Sequence, residues 1–164
     1  MSYICNGHRF AALHWRNRTG EVCRVGLRAN REDITCEDHI QLLNDNSATI
    51  ARAVHDAMKK DGLDCLYLAY PPYSEDILEY MAAEIPKVYT VSDILVHGIP
   101  EYMQEDEYYL SLIDQEMASR AALFMASGSS NWSDFVVDER KANGKKNIFI
   151  GNLRGIPSSI INML

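Results

Sequence analysis

Two short stretches carry the side chains best suited to chemistry. One is SGSSNWS, residues 127–133, which sets hydroxyls, backbone N–H groups and an indole between an apolar segment and a helical one. The other is the His14, Arg16, Asn17, Arg18 cluster that follows the apolar run FAALHW. A helix N-terminus offers unpaired N–H groups and a favourable dipole to an anion, and a guanidinium adds a planar fork of donors. Together they suit a diphosphate, which gathers negative charge as it departs from a transferred group. Each residue also has a plainer reading. Ser129 and Ser130 are typical helix caps, Arg16 sits at a strand end, and Trp132 has the shape of a helix-to-sheet packing residue. Asp114, amid apolar neighbours, is either a buried partner of Arg16 or a solvated face residue.

Composition narrows the ligand. Of 164 residues, 47% are hydrophobic and 24% charged, the balance of one compact globule. Sixteen Lys and Arg against 23 Asp and Glu give a net charge of −7, which disfavours nucleic acid and anionic membrane as partners. A small phosphorylated ligand needs only one or two arginines. No apolar run reaches a membrane span, and no signal-peptide pattern opens the chain. The hydrophobic run begins so close to Met1 that a fragment or a shortened gene product is expected. Cys5, Cys23, Cys36 and Cys65 lack zinc-ligand spacing, so no metal is expected. Cys23 and Cys36 flank one polar loop and are the preferred bridge, with free, packed thiols as the alternative. His39, His55 and His97 fall in polar or helical contexts and read as surface residues. No G-x-S-x-G, P-loop or G-x-G-x-x-G pattern is present.

The elements that must position these residues follow from periodicity. FAALHW (10–15) reads as a strand, then a loop runs to about residue 45, and a helix over 47–62 has Ser47 as cap and Gly62 as stop. CLYLAY (65–70) is the next strand. A helix over 74–85 is capped by Ser74, KVYTVSDIL holds a strand and its exit, and a helix over YYLSLIDQEMASRA turns Leu110, Ile113, Met117 and Ala121 to one face. ALFMAS, the helix NWSDFVVDERKANG and the strand NIFIGN complete the chain. Alternation of β and α throughout predicts an α/β fold with a doubly wound, mostly parallel, Rossmann-like sheet. Residues 1–164 form one domain in this reading, with 97–107 an insertion. Ligands of such sheets bind beyond the carboxyl ends of the strands, where both candidate loops fall.

Several separated segments resemble the GDP-fucose protein O-fucosyltransferases, in that family's order. FAALHWR resembles its strand ending in H-x-R, LDCLYLAYPP is similar to the strand that ends Ala-Thr-Asp, and SLIDQEMASRAALFMASGSSNWSDFVVDER resembles its closing segment. The last is the most specific, and it is nearer the type acting on thrombospondin repeats than the type acting on epidermal-growth-factor repeats. The resemblance implies the C-terminal, nucleotide-sugar-binding half of a GT-B glycosyltransferase, with the N-terminal acceptor half absent. It implies an inverting, metal-independent transfer of fucose from GDP-fucose to Ser or Thr of small disulfide-bonded repeats, in the lumen of the endoplasmic reticulum. Arg16 would be catalytic, and His14, Arg16, Asn17, Ser129, Ser130, Asn131 and Trp132 would hold GDP. Pro71 stands where the family has its acid, so the group expected to read the guanine edge is missing. A catalytically silent binding module is the competing expectation. The sequons at Asn17 and Asn131 lie in the ligand loops and are expected to carry no glycan.

Overall fold

The computed structural model describes residues 4–16, 36–71, 76–96 and 100–161; of residues 36–40 and 101 it describes the backbone only. Five strands form one sheet: β1 Ala11–His14, β2 Cys65–Ala69, β3 Lys87–Tyr89, β4 Leu123–Ala126 and β5 Lys146–Phe149. All four pairings are parallel, in the order β3-β2-β1-β4-β5. The helices are α1 Cys36–Lys60, α2 Asp76–Glu84, α3 Val91–Leu95, α4 Glu101–Gln104, α5 Glu107–Arg120, α6 Asn131–Ala142 and α7 Ser158–Ile161. This is a Rossmann-like α/β architecture.

Alternation along the strands builds two cores. Leu13, Leu66, Leu68 and Met125 point to the face packed by Ile50, Val54 and Met58 of α1 and Met81 of α2. Ala12, Tyr67, Ala69, Phe124 and Ala126 point to the other, where Met117 of α5 and Val136 of α6 cover them. The three inner strands are buried throughout, as expected when helices cover both faces, whereas β3 and β5 are edges with exposed first residues. Because side chains alternate, His14 joins Ala12 on the α5–α6 face and Trp15 joins the opposite core.

Three differences from the sequence reading have physical causes. The helix expected from residue 47 begins at Cys36, and Ser47 sits inside it, its Oγ donating to the Asn44 carbonyl at 2.8 Å. Leu43 packs on the core one turn before Asn46 and two before Ile50, so tertiary contact carries the helix through an Asn- and Asp-rich stretch of weak propensity. The strand after α2 is short because Thr90 turns the chain, its N–H donating to the Asp93 carboxylate at 2.7 Å at the mouth of α3. A disulfide joins Cys5, in the turn before β1, to Cys65 at the start of β2, with Cα atoms 5.8 Å apart. Asn17, Ser74, His97 and a Cys23–Cys36 bridge lie outside the described residues or side chains. Gly62 does end α1, at φ +68°, with Leu63 N–H closing onto the Met58 carbonyl at 3.0 Å.

Candidate functional site

The chain leaves β1 toward β2 and β3 on one side, then returns to lay β4 and β5 on the other. Between β1 and β4 the loops part in opposite directions, the place where open α/β sheets form a ligand crevice. His14 and Ala126 are register partners at that point. Just beyond them Ser127 locks the two chains: its N–H donates to the His14 carbonyl at 3.0 Å, and its Oγ accepts from Arg16 N–H and donates to the Arg16 carbonyl, both at 2.7 Å.

Three of the predicted residues meet here. His14, Arg16 and Trp132 line one cavity of about 330 Å³, whose walls also include Tyr70, Pro71 and Asp114. The Trp132 indole stacks on the His14 imidazole, ring centres 3.9 Å apart, and its Nε1–H donates to Ser111 Oγ at 3.0 Å. His14 Nδ1 and Ser133 Oγ are hydrogen-bonded at 2.8 Å, with the donor set by the imidazole tautomer, and Ser130 Oγ donates to Ser133 Oγ at 3.1 Å. The ring is therefore held from its edge and its face. Trp132 combines the two roles weighed from sequence: it packs against the sheet and walls the cavity.

The other loop residues are near in sequence but do not line that cavity. Ser130 is buried and caps α6, accepting from Ser133 N–H at 3.1 Å. Ser129 Oγ donates to Asp134 at 2.9 Å, and Asn131, the first residue of α6, is exposed. At the helix mouth these residues present the N-terminal backbone of α6 beside the crevice.

Asp114 is half-buried in the wall of the cavity that Arg16 also lines. Tyr67, on the same sheet face as His14, donates its hydroxyl to Asp114 Oδ1 at 2.7 Å. Burial pushes the Asp114 carboxyl up to about 7, against a smaller downward pull from the Tyr67 hydrogen bond. Burial, and then the Asp114 charge, push the Tyr67 phenol well above its ordinary range. A carboxyl that titrates near neutrality in a cleft is a group fitted to exchange protons or to donate a hydrogen bond when neutral. Sequence reasoning missed Ser127, Ser133 and Tyr67. The one available signal was the period-two parity that puts Tyr67 and His14 on the same face.

No known family's sequence profile matches the chain, and no curated protein does. Solved structures do match in fold. A crystal structure of POFUT1 in complex with GDP superposes with a TM-score of 0.52 at 18% identity, covering 88% of this chain and 44% of that one. POFUT1 in complex with GDP-fucose gives 0.50 at 18% identity, covering 88% and 43%. The chain thus spans less than half the length of these neighbours, and the likeness is one of fold.

Proposed function

We propose that this domain binds a guanosine diphosphate sugar and forms the donor-binding part of a protein O-fucosyltransferase. The observation that carries the reading is the cavity at the β1–β4 divide, which brings His14, Arg16 and Trp132 together beside the capped N-terminus of α6. Neighbours of the same fold whose crystals hold GDP and GDP-fucose support it. Arg16 would neutralise the departing diphosphate with a bidentate fork, while the first N–H groups of α6, with Ser129, Ser130 and Asn131, would complete the anion's surroundings. Asn17, Trp132 and His14 would bound the nucleoside and sugar. The fucose would pass to a Ser or Thr hydroxyl of a small disulfide-bonded repeat, without a metal and with inversion at the sugar carbon.

Calorimetric titration with GDP is the direct test. Saturable heat and a rise in melting temperature are expected, with affinity unchanged by a chelator; no heat and no thermal shift at millimolar GDP would sink the proposal. Pro71 in the cavity wall, where the resembling family has an acid, favours one second reading, a silent module that docks a folded repeat. Binding of such a repeat with no nucleotide requirement, together with a blank GDP titration, is its signature.

A further inference from the structure

The opposite end of the sheet holds a second hollow of about 400 Å³, where β1, β4 and β5 begin. Its walls include His8, Arg9, Arg120 and Lys145 over a floor of Phe10, Ala121 and Ala122. Among the described residues no carboxylate lines it, in a chain with 23 acids against 16 Lys and Arg. The size is that of small-molecule sites rather than of a packing defect.

The C-terminus of α5 would ordinarily make this pole negative. Buried Arg140 opposes this by donating Nη1 to the carbonyls of Ala118, Ser119 and Ala121 at 3.0, 3.1 and 2.6 Å. Its Nη2 donates to the Lys146 carbonyl and its Nε to Asn147 Oδ1, both at 2.7 Å. All of these hydrogen-bond acceptors are neutral, and the carboxylate that acts on the guanidinium, Glu139, does so through space while accepting from Ser119 Oγ. Lys145 Nζ adds a further donor to the Ser119 carbonyl at 2.7 Å. Arg120 does pair with Glu116, but both side chains are half exposed, where such attraction is screened.

The backbone facing this pole is also unusual. Cys5, Asn6 and Gly7 have φ of +54°, +53° and +74°, a left-handed run that two side-chain-bearing residues adopt only under constraint. The Cys5–Cys65 bond and the hydrogen bonds from Gly7 N–H to the Ile4 carbonyl and His8 N–H to the Cys5 carbonyl, each 3.0 Å, supply that constraint. The turn delivers His8 and Arg9 to the rim shared with Arg120 and Lys145.

We propose that this hollow is an anion site for a sulfate or phosphate ester on a small, saccharide-sized molecule, separate from the nucleotide cavity. The basic rim takes the oxyanion, and Phe10 with the two alanines takes the apolar face of the carrier.

The test titrates the full chain with glucose 6-sulfate and glucose 6-phosphate, at ionic strength held constant with chloride, and follows backbone amide shifts. Saturable shifts confined to residues 7–10, 120–122 and 145 are expected, and the stronger ester names the source. Arg9→Gln with Arg120→Gln, both exposed, should weaken the better ester roughly tenfold while melting temperature and GDP titration stay as in the parent. Arg16→Ala should leave ester binding intact, which keeps this site independent of the nucleotide reading. Shifts that chloride reproduces, shifts that never saturate, or full affinity in the double variant would each overturn the proposal.

Discussion

At the amino-terminal end of the sheet, buried Arg140 spends its donors on fixed, neutral acceptors, and a disulfide fastens the neighbouring turn. At the carboxyl-terminal end the polar groups are arranged differently: an imidazole is shared with two serines, and a carboxyl sits against a phenol with its affinity for a proton raised to about 7. One end satisfies its charge with dipoles that do not titrate, and the other keeps groups whose protonation and partners can change. The first arrangement favours rigidity, the second is costly to hold and is kept where a ligand or a proton is to be exchanged. Both lean on the same strands, which is what allows a soft site to keep its geometry.

The largest effect should come from breaking the rigid end. Arg140→Met would strand the carbonyls of Ala118, Ala121 and Lys146, while Ser119 keeps its bond from Lys145. Leaving buried acceptors unpaired costs about 1–3 kcal/mol apiece before relaxation and water entry, so a net loss of about 3–5 kcal/mol in unfolding free energy is expected. Arg140→Lys, with donors but no fork, should recover only part. Denaturant unfolding measures both. A loss below about 1 kcal/mol would show that the contrast between the two ends is not energetic.

At the soft end, Arg16→Ala should act on ligand binding. Removing a charged hydrogen-bond partner of a diphosphate is worth about 1.5–3 kcal/mol, or roughly 10- to 150-fold in GDP affinity, and Arg16→Lys should restore only some of it. If affinity holds and melting temperature drops instead, Arg16 is a structural residue and both ends are rigid.

Asp114 makes the contrast visible through pH. Its carboxyl titrates near 3.8 when unfolded and near 7 when folded. Between those values the native state keeps a proton that the unfolded state has lost. Its contribution to stability is therefore complete below the unfolded value and is lost as pH rises through about 7. A decline on the order of 2 kcal/mol across that window is expected, taking part of the 1.36 kcal/mol per unit that full burial would give. Asp114→Asn should flatten the profile. Tyr67→Phe, by deleting the bond that favours the charged form, should move the window upward. Stability that is flat with pH in the parent would mean the carboxyl is hydrated in solution.

How far the sequence disclosed this contrast depends on how local each cause is. The inner strands were legible because strands buried on both faces read as short apolar runs. His14, Arg16 and Trp132 could be grouped because strand parity and loop position are local too. The N-terminal half of α1 was not legible, since its helicity rests on Leu43 meeting the core. Cys5 and Cys65 are 60 residues apart, and only the tertiary fold brings the turn before β1 against the start of β2. The Asp114 environment depends on Tyr67, 47 positions away, so no spacing along α5 could choose between a solvated and a buried carboxyl.

The smallest effects separate the two serines that the loop offers. Ser130 is 3% exposed, caps α6 and feeds the Ser133–His14 chain, so Ser130→Ala should cost about 1 kcal/mol of stability, the usual worth of an N-cap. Ser129 makes one exposed hydrogen bond, to Asp134, and Ser129→Ala should change stability by less than about 0.5 kcal/mol. Their effects on GDP should not follow that ranking. If Ser129 turns its hydroxyl to a bound phosphate, Ser129→Ala weakens GDP severalfold while the melting temperature stays put. Ser130→Ala should weaken it as well, but through a loosened His14 and a frayed helix mouth, and so with a matching loss of stability. Measuring melting temperature and GDP affinity on the same two variants tells donor from support. A Ser129→Ala protein that binds GDP as tightly as the parent would leave the N–H groups of α6, rather than the serine hydroxyls, as this loop's contribution to the anion.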